Sequence, residues 1–201
     1  MNSVLFFKFF AGLIAIMNPL VTLPIFLSLT RGDSQSKKIK IAFFSSLAVL
    51  AILVLAAYSG KSALSAFGIS VGGFQIAGGI LVGMIAVSMM HPKTSDIPEE
   101  KHSNPAIVPL ALPIMAGPGS ISKTIAFASN AHGMSDFDAI ILAIACAAAV
   151  TFIILSASNF INNIMGKTGI TIITKIMAII LGAIAVEMIV SGVKAEFPGI
   201  G

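Results

Sequence analysis

The sequence predicts an all-α membrane protein: six transmembrane helices forming two inverted-topology repeats of three, with helices one and four broken near the midplane. Three observations lead there. The 201 residues are 57% hydrophobic and 10% charged, with a mean hydropathy of +1.02, whereas an average soluble domain is about 25% charged. Six stretches, roughly 4–29, 39–59, 67–90, 106–129, 137–160 and 169–193, each supply the about 20 mostly apolar residues that a spanning helix needs. The second half of the chain also echoes the first at a fixed offset.

The first stretch has no basic leader and is longer than a signal-peptide core, so it reads as a retained helix. Near its middle stands Asn18-Pro19 in "AIMNPLVTLPIF". The third stretch has glycines at 68, 72, 73, 78, 79 and 83. The spacings Gly68/Gly72 and Gly79/Gly83 predict close helix approach, and Gln75 among them needs a polar partner, either a substrate or a neighbouring break. "HPKTSDIPEEKHSNP", rich in charge and proline, links the halves. The division is residues 1–91 as repeat one, 92–105 as a cytoplasmic linker and 106–201 as repeat two, all one transmembrane domain. The fourth stretch is interrupted at "LPIMAGPGSISKTI". In the fifth, Thr151, Ser156, Ser158 and Asn159 either line a passage or bond across helices. Cys146, the lone cysteine, lies in an alanine-rich run and reads as a small buried residue. His91, His102 and His132 have no metal-ligand spacing. Lys175 and Glu187 lie within the sixth stretch, twelve residues or about 18 Å apart on one straight helix, so they do not pair directly.

The basic residues are concentrated in short loops. Arg31, Lys37, Lys38, Lys40, Lys93, Lys101 and Lys167 follow stretches one, three and five, while Lys8, Lys61 and Lys194 fall on the other side. Short-loop Lys and Arg mark the cytoplasmic side, which places both termini outside. The lack of interleaved aromatics argues against a nucleic-acid partner.

Placing Pro19 on Pro118 sets an offset of 99, and the same offset carries "GMIAVSM" (83–89) onto "GAIAVEM" (182–188), identical at five of seven positions. Three helices per repeat force the second copy to insert from the opposite side. The two breaks then meet at the midplane. Proline is tolerated at the first position of a helix and asparagine is favoured just before it, while Gly117-Pro118-Gly119 repeats the device with glycines. Hydrocarbon satisfies none of the backbone groups that a break leaves bare. The N–H groups of Leu20, Val21 and Thr22, and of Gly119, Ser120 and Ile121, therefore form positive dipole ends suited to a carboxylate. The carbonyls of Ile14 to Met17 and Ile114 to Ala116 form negative ends suited to an ammonium group. Together they fit a zwitterion. The plainer reading of either break alone is a packing kink, and Pro24, Pro109 and Pro113 are read as bends. Lys123, one turn beyond the second break, has two roles open to it: substrate contact or snorkelling.

"GPGSIS" follows no strand and leads into no Gly-Lys-Ser/Thr, so it is not a phosphate loop. Paired intramembrane carboxylates, a Ser/His arrangement within one span and a Cys/His cluster are all missing from the sequence, so an enzyme has little support and no cofactor or metal site is expected. A coupling ion, Na⁺ or H⁺, is not readable. Backbone carbonyls are able to hold Na⁺, and no midplane acid commits the chain to protons.

"MNPLVTLPIFLSLT", "IAGGILVG" and "IVPLALPIMAGPG" resemble the signatures of the MarC family of bacterial and archaeal inner-membrane proteins. The resemblance covers nearly the whole chain and rests on Asn18, Pro19 and Pro24, on Gly78 and Gly79, and on Gly117, Pro118 and Gly119. It implies six spans and, as in some members, transport of small neutral amino acids such as glycine and alanine. One departure is Val21, where the family's pattern implies glycine; it adds bulk beside the site. The site residues expected to bind substrate are Asn18, Pro19, Leu20, Val21, Thr22, Gln75, Ala116, Gly117, Pro118, Gly119, Ser120 and Lys123. The rival expectations are a channel-like exporter of other small solutes, which would neither saturate nor show counterflow, and a non-transporting scaffold. Glycine-rich faces allow a homo-oligomer.

Overall fold

A computed structural model describes residues 2–90, 115–197 and 199. The linker, Pro109, Pro113 and the first half of the fourth stretch lie outside the described residues. The described chain is all helical: α1 (Ser3–Met17), α2 (Pro19–Leu29), α3 (Gln35–Ala66), α4 (Val71–Met90), α5 (Pro118–Ser129), α6 (Met134–Ser156) and α7 (Ser158–Glu196). Five spans among the described residues are long and apolar enough to cross a membrane: Ser3–Leu29, which joins α1 and α2, then Gln35–Ala66, Val71–Met90, Met134–Ser156 and Thr168–Glu196. The fourth stretch is represented by α5, whose 12 residues are too few to span alone.

Local chemistry sets the boundaries. The Leu5 N–H donates to Asn2 Oδ1 at 3.1 Å and so caps α1. The Lys37 N–H donates to Ser34 Oγ and so caps α3. Glycines at positive φ, Gly68 (φ 68°) and Gly166 (φ 59°), turn the chain before α4 and kink α7. Gly68 therefore lies in a turn outside the helix, and the expected Gly68/Gly72 stripe does not form. Instead Gly72 and Gly79, seven residues apart, face Gly192 and Ala185 of α7. A methyl on Gly72 would sit 2.9 Å from the Gly192 carbonyl oxygen, and one on Gly79 would sit 2.9 Å from that of Ala185. The contacts run in opposite order along the two helices, so α4 and α7 are antiparallel with their backbones nearly touching, a close approach that only small residues permit.

α3 and α6 are also antiparallel. The Gln35 amide donates to the Ser156 carbonyl at 3.1 Å, Phe43 meets Phe152 at 6.0 Å and Tyr58 meets Phe137 at 4.8 Å. α1 runs parallel to α6 from the bond between Asn2 Nδ2 and Asp136 Oδ1 at 3.0 Å. The main core joins Phe9, Leu13 and Met17 of α1 to Leu23 and Phe26 of α2, to Ile41, Ala42, Val49 and Leu53 of α3, and to Ile140, Ala143, Ile144 and Ala147 of α6. A smaller core joins Val82 and Ala86 of α4 to Leu181, Ala185 and Met188 of α7, with Ile16 at its edge. Large apolar side chains such as Phe43, Phe44, Leu55, Met84, Ile176 and Ile179 point outward, as expected where the solvent is lipid. α2 and α5 begin at residues 19 and 118, and α3 and α6 at 35 and 134. Both pairs keep the offset of 99 seen in the sequence.

Candidate functional site

Asn18 is a one-residue break. It takes φ 44° and ψ 59°, the only positive φ at a non-glycine among the described residues, and asparagine is one of the few side chains that tolerate this region. Its N–H donates to the Ile14 carbonyl at 2.9 Å and closes α1; its carbonyl accepts from the N–H groups of Val21 at 3.1 Å and Thr22 at 3.3 Å and opens α2. Thr22 Oγ1 donates to the same carbonyl at 3.2 Å. The break therefore leaves fewer bare donors than expected. Pro19 has no N–H, Val21 and Thr22 are satisfied, and Leu20 is left as the first-turn donor without an acceptor in its own helix. The Ile14 carbonyl is likewise used, which leaves those of Ala15, Ile16 and Met17 at the negative end.

The expected capping role of the Asn18 side chain is not found. It makes no cap hydrogen bond, because a left-handed residue does not have the extended conformation from which a cap side chain reaches back over the first turn. Asn18 is 6% exposed, and neither its Nδ2 nor its Oδ1 has a partner among the described residues.

The second break has a different construction. Gly117 is extended (φ −75°, ψ 179°) and Pro118 opens α5. The Ile121 N–H donates to the Gly117 carbonyl at 3.1 Å, so Ile121 is not a bare donor; Gly119 and Ser120 have no acceptor within α5. Ser120 Oγ donates to the Met115 carbonyl at 2.8 Å, which occupies one of the expected negative groups and leaves Ala116. Ala116, Gly119 and Ser120 are buried, Gly117 is half-buried and Pro118 is exposed. Ile114 lies outside the described residues.

The two breaks are neighbours. A methyl on Gly119 would lie 3.2 Å from Ile16 Cγ2 in the last turn of α1 and would collide with Val82 Cγ2 of α4. α1 thus stops, negative end first, beside the point where α5 starts with its positive end. From there the two helices run antiparallel, Gly12 beside Lys123 and Phe9 beside Phe127 at 5.0 Å. The Lys123 ammonium lies 5.1 Å from the Phe127 ring centroid, one turn farther from Gly119, and a methyl on Gly12 would come within 2.6 Å of it. Its lean toward Phe127 follows the snorkelling direction. Gln75 stands apart from the breaks. Val82 is the α4 residue at Gly119, and seven residues separate it from Gln75, about 10 Å along the helix. Closer to Gln75, Ser122 Oγ donates to the Phe74 carbonyl at 3.1 Å, and Gly78 admits Ser122.

The side chains of four residues were not singled out in the sequence for the site, which took from Ile16 only its carbonyl. Ile16 and Val82 carry no chemical signal, being apolar among apolar residues. Ser45 and Ser46, buried on α3, did carry one: two adjacent hydroxyls in the middle of a spanning stretch. No group of His, Cys, Asp and Glu among the described residues is placed to hold a metal ion.

Residues 3–197 match the family model described as "MarC family integral membrane protein". The chain is 37% identical over 203 residues to the UPF0056 membrane protein YhcE of Escherichia coli K12, covering 97% of this chain and 94% of that protein. It is 38% identical over 199 residues to a UPF0056 membrane protein of Buchnera aphidicola subsp. Schizaphis graminum, covering 96% and 93%. No solved structure gives a significant match.

Proposed function

Given that the chain belongs to the MarC family of integral membrane proteins, we propose that it is a secondary transporter of small neutral amino acids such as glycine and alanine in the inner membrane. The observation that carries this reading is the meeting of Ile16 and Gly119, where a helix end of one sign lies beside a helix start of the other within the bundle. A zwitterion there places its carboxylate on the N–H groups of Gly119 and Ser120 and its ammonium on the carbonyls at the end of α1 and of Ala116. No fixed charge is required.

Two three-helix repeats of inverted topology move against each other in alternating access. Support comes from the helix starts repeated at 99 residues and from the antiparallel pairing of α4 with α7 and of α3 with α6. The basic loops place both termini outside.

Purified protein in liposomes should exchange labelled glycine or alanine, with saturation and counterflow, and Gly117→Leu should abolish the exchange by adding bulk next to the N–H groups that open α5. Flux without saturation would instead identify a channel. No flux under Na⁺ or H⁺ gradients, together with no thermal stabilisation by any amino acid, would overturn transport in favour of a scaffold.

A further inference from the structure

We propose that Asn18, Ser45, Ser46 and Thr151, with the carbonyls at the end of α1, form a binding site for Na⁺ on the α3/α6 side of the first break. As a coupling-ion site it rests on the transport reading; as a cation site it stands on its own observations. Each of the four residues is at least nine-tenths buried: Asn18 at 6%, Ser45 at 1%, Ser46 at 5% and Thr151 at 0% exposure. The Asn18 amide and all three hydroxyls lack a hydrogen-bond partner among the described residues. The Ser129 and Ser156 hydroxyls, each on the last residue of its helix, also lack a partner among the described residues, but within helices the bonded state is the common one. Thr22, Thr30, Ser59, Ser65, Thr124 and Thr174 each donate to the carbonyl four residues earlier, as a helical hydroxyl ordinarily does.

The helix register brings the four to one level. α1 and α6 run parallel from the Asn2–Asp136 bond. Asn18 is sixteen residues beyond Asn2 and Thr151 fifteen beyond Asp136, so both stand about 23 Å along. Thr151 continues the buried stripe Ala143, Ala147, Thr151, Leu155, whose apolar members share one core with Phe9, Leu13 and Met17. α3 and α6 are antiparallel through Phe43 and Phe152. Moving two or three residues along α3 and one back along α6 puts Ser45, Ser46 and Thr151 within about 3 Å of one level. Ser45 and Ser46 lie on the buried face of α3 with Ala42, Val49 and Leu53.

The chemistry selects a small monovalent cation. All the side-chain donors are neutral oxygens, which suits a hard ion, and none of the four residues is a carboxylate that would demand a divalent charge. The free carbonyls of Ala15, Ile16 and Met17 add the negative end of the α1 dipole. Ile16 faces α4 and α5, whereas Met17 faces the core shared with α3 and α6. The ion site therefore lies toward the α3/α6 side of this helix end, whereas Gly119, which the zwitterion would use, lies on the Ile16 side.

The test is thermal unfolding of the detergent-solubilised full chain, without amino acid, as NaCl replaces choline chloride at constant ionic strength, with KCl as a parallel series. The wild type should rise in Tm with Na⁺ and not with K⁺. Thr151→Val, which keeps the shape, and Asn18→Gly, which keeps the left-handed backbone, should each weaken the apparent Na⁺ affinity at least tenfold. If Thr151→Val does not fold, Ser45→Ala is the replacement. Equal Tm in Na⁺ and choline, equal rises in Na⁺ and K⁺, or an undiminished response in the variants would each overturn the site. A glycine titration in choline separates the two proposals: stabilisation by glycine with indifference to Na⁺ removes the ion site alone, and the converse removes the zwitterion site alone.

Discussion

Gly119→Ala tests the meeting of the breaks most directly. The added methyl would collide with Val82 Cγ2 and press on Ile16 Cγ2 at 3.2 Å, where carbon atoms prefer about 3.5–4.0 Å. Val82 is fully buried, and a β-branched side chain in a helix holds one χ1 rotamer about 90% of the time, so it has nowhere to turn. α4 and α5 must part instead, an overpacking cost of about 1–3 kcal/mol. Val82→Ala alone removes two buried methyls, roughly 2 kcal/mol with the cavity included. In the double variant the new methyl moves into the space just vacated, so the two losses should not add. It should be no less stable than Val82→Ala, a favourable coupling equal to the Gly119→Ala cost, about 1–3 kcal/mol. A thiol-reactive dye reports unfolding through the one cysteine, the half-buried Cys146, and each kcal/mol moves Tm by about 2–4 °C in a chain of this size. A Gly119→Ala protein that melts with the wild type, or strictly additive single variants, would show that α4 and α5 do not touch at this point.

Three further outcomes follow from the packing. Gly78→Ala drives a methyl to 2.5 Å from Ser122 Cβ and Oγ and strains the Ser122–Phe74 bond, so the same dye assay should show a loss of about 1–3 kcal/mol; Gly182→Ala, which meets nothing within 4 Å, should be neutral. Asn18→Gly should hold or raise stability while abolishing amino acid exchange, since it removes a buried unpaired amide costing about 1–3 kcal/mol, whereas Asn18→Val should lose at least about 1–2 kcal/mol at φ 44°. In a Cys146→Ala background, a cysteine at 38 should resist an impermeant thiol reagent added to intact cells and one at 61 should react; the opposite pattern would reverse the orientation.

The helices were legible in the sequence because hydrocarbon imposes a single demand, a long apolar run, and α3, α4 and α6 answer it directly. The breaks were legible because proline and glycine act on their own backbone. What the sequence could not give was the company each residue keeps. Gln75 was the conspicuous polar side chain of α4, yet Val82 sits at Gly119, since antiparallel register with α5 decides which turn of α4 meets the break. The number of bare donors was overestimated at both breaks for a related reason: the left-handed Asn18 carbonyl collects two N–H groups and a hydroxyl, a compactness that depends on dihedral angles. Ser45 and Ser46 were visible as letters, but only the unbonded state of their hydroxyls distinguishes them from Thr22 or Thr124.

The two breaks, whose helices start 99 residues apart, differ in what they offer. At the first, a buried proline follows an asparagine whose amide is unpaired, and what remains available is mostly oxygen: three carbonyls, joined in the proposed ion site by the Ser45, Ser46 and Thr151 hydroxyls. At the second, glycine and an exposed proline leave two adjacent N–H groups at a helix start. Had both breaks been built alike, two ends of equal character would surround the proposed zwitterion, and a fixed side-chain charge would be needed to tell its carboxylate from its ammonium. Unequal construction removes that need, because the oxygen-rich break discriminates in favour of cations and the nitrogen-rich break in favour of anions. For the proposed transporter this would matter, since a site read by backbone groups would not require an ionised side chain at the breaks themselves to be desolvated each time it changed the side it faces.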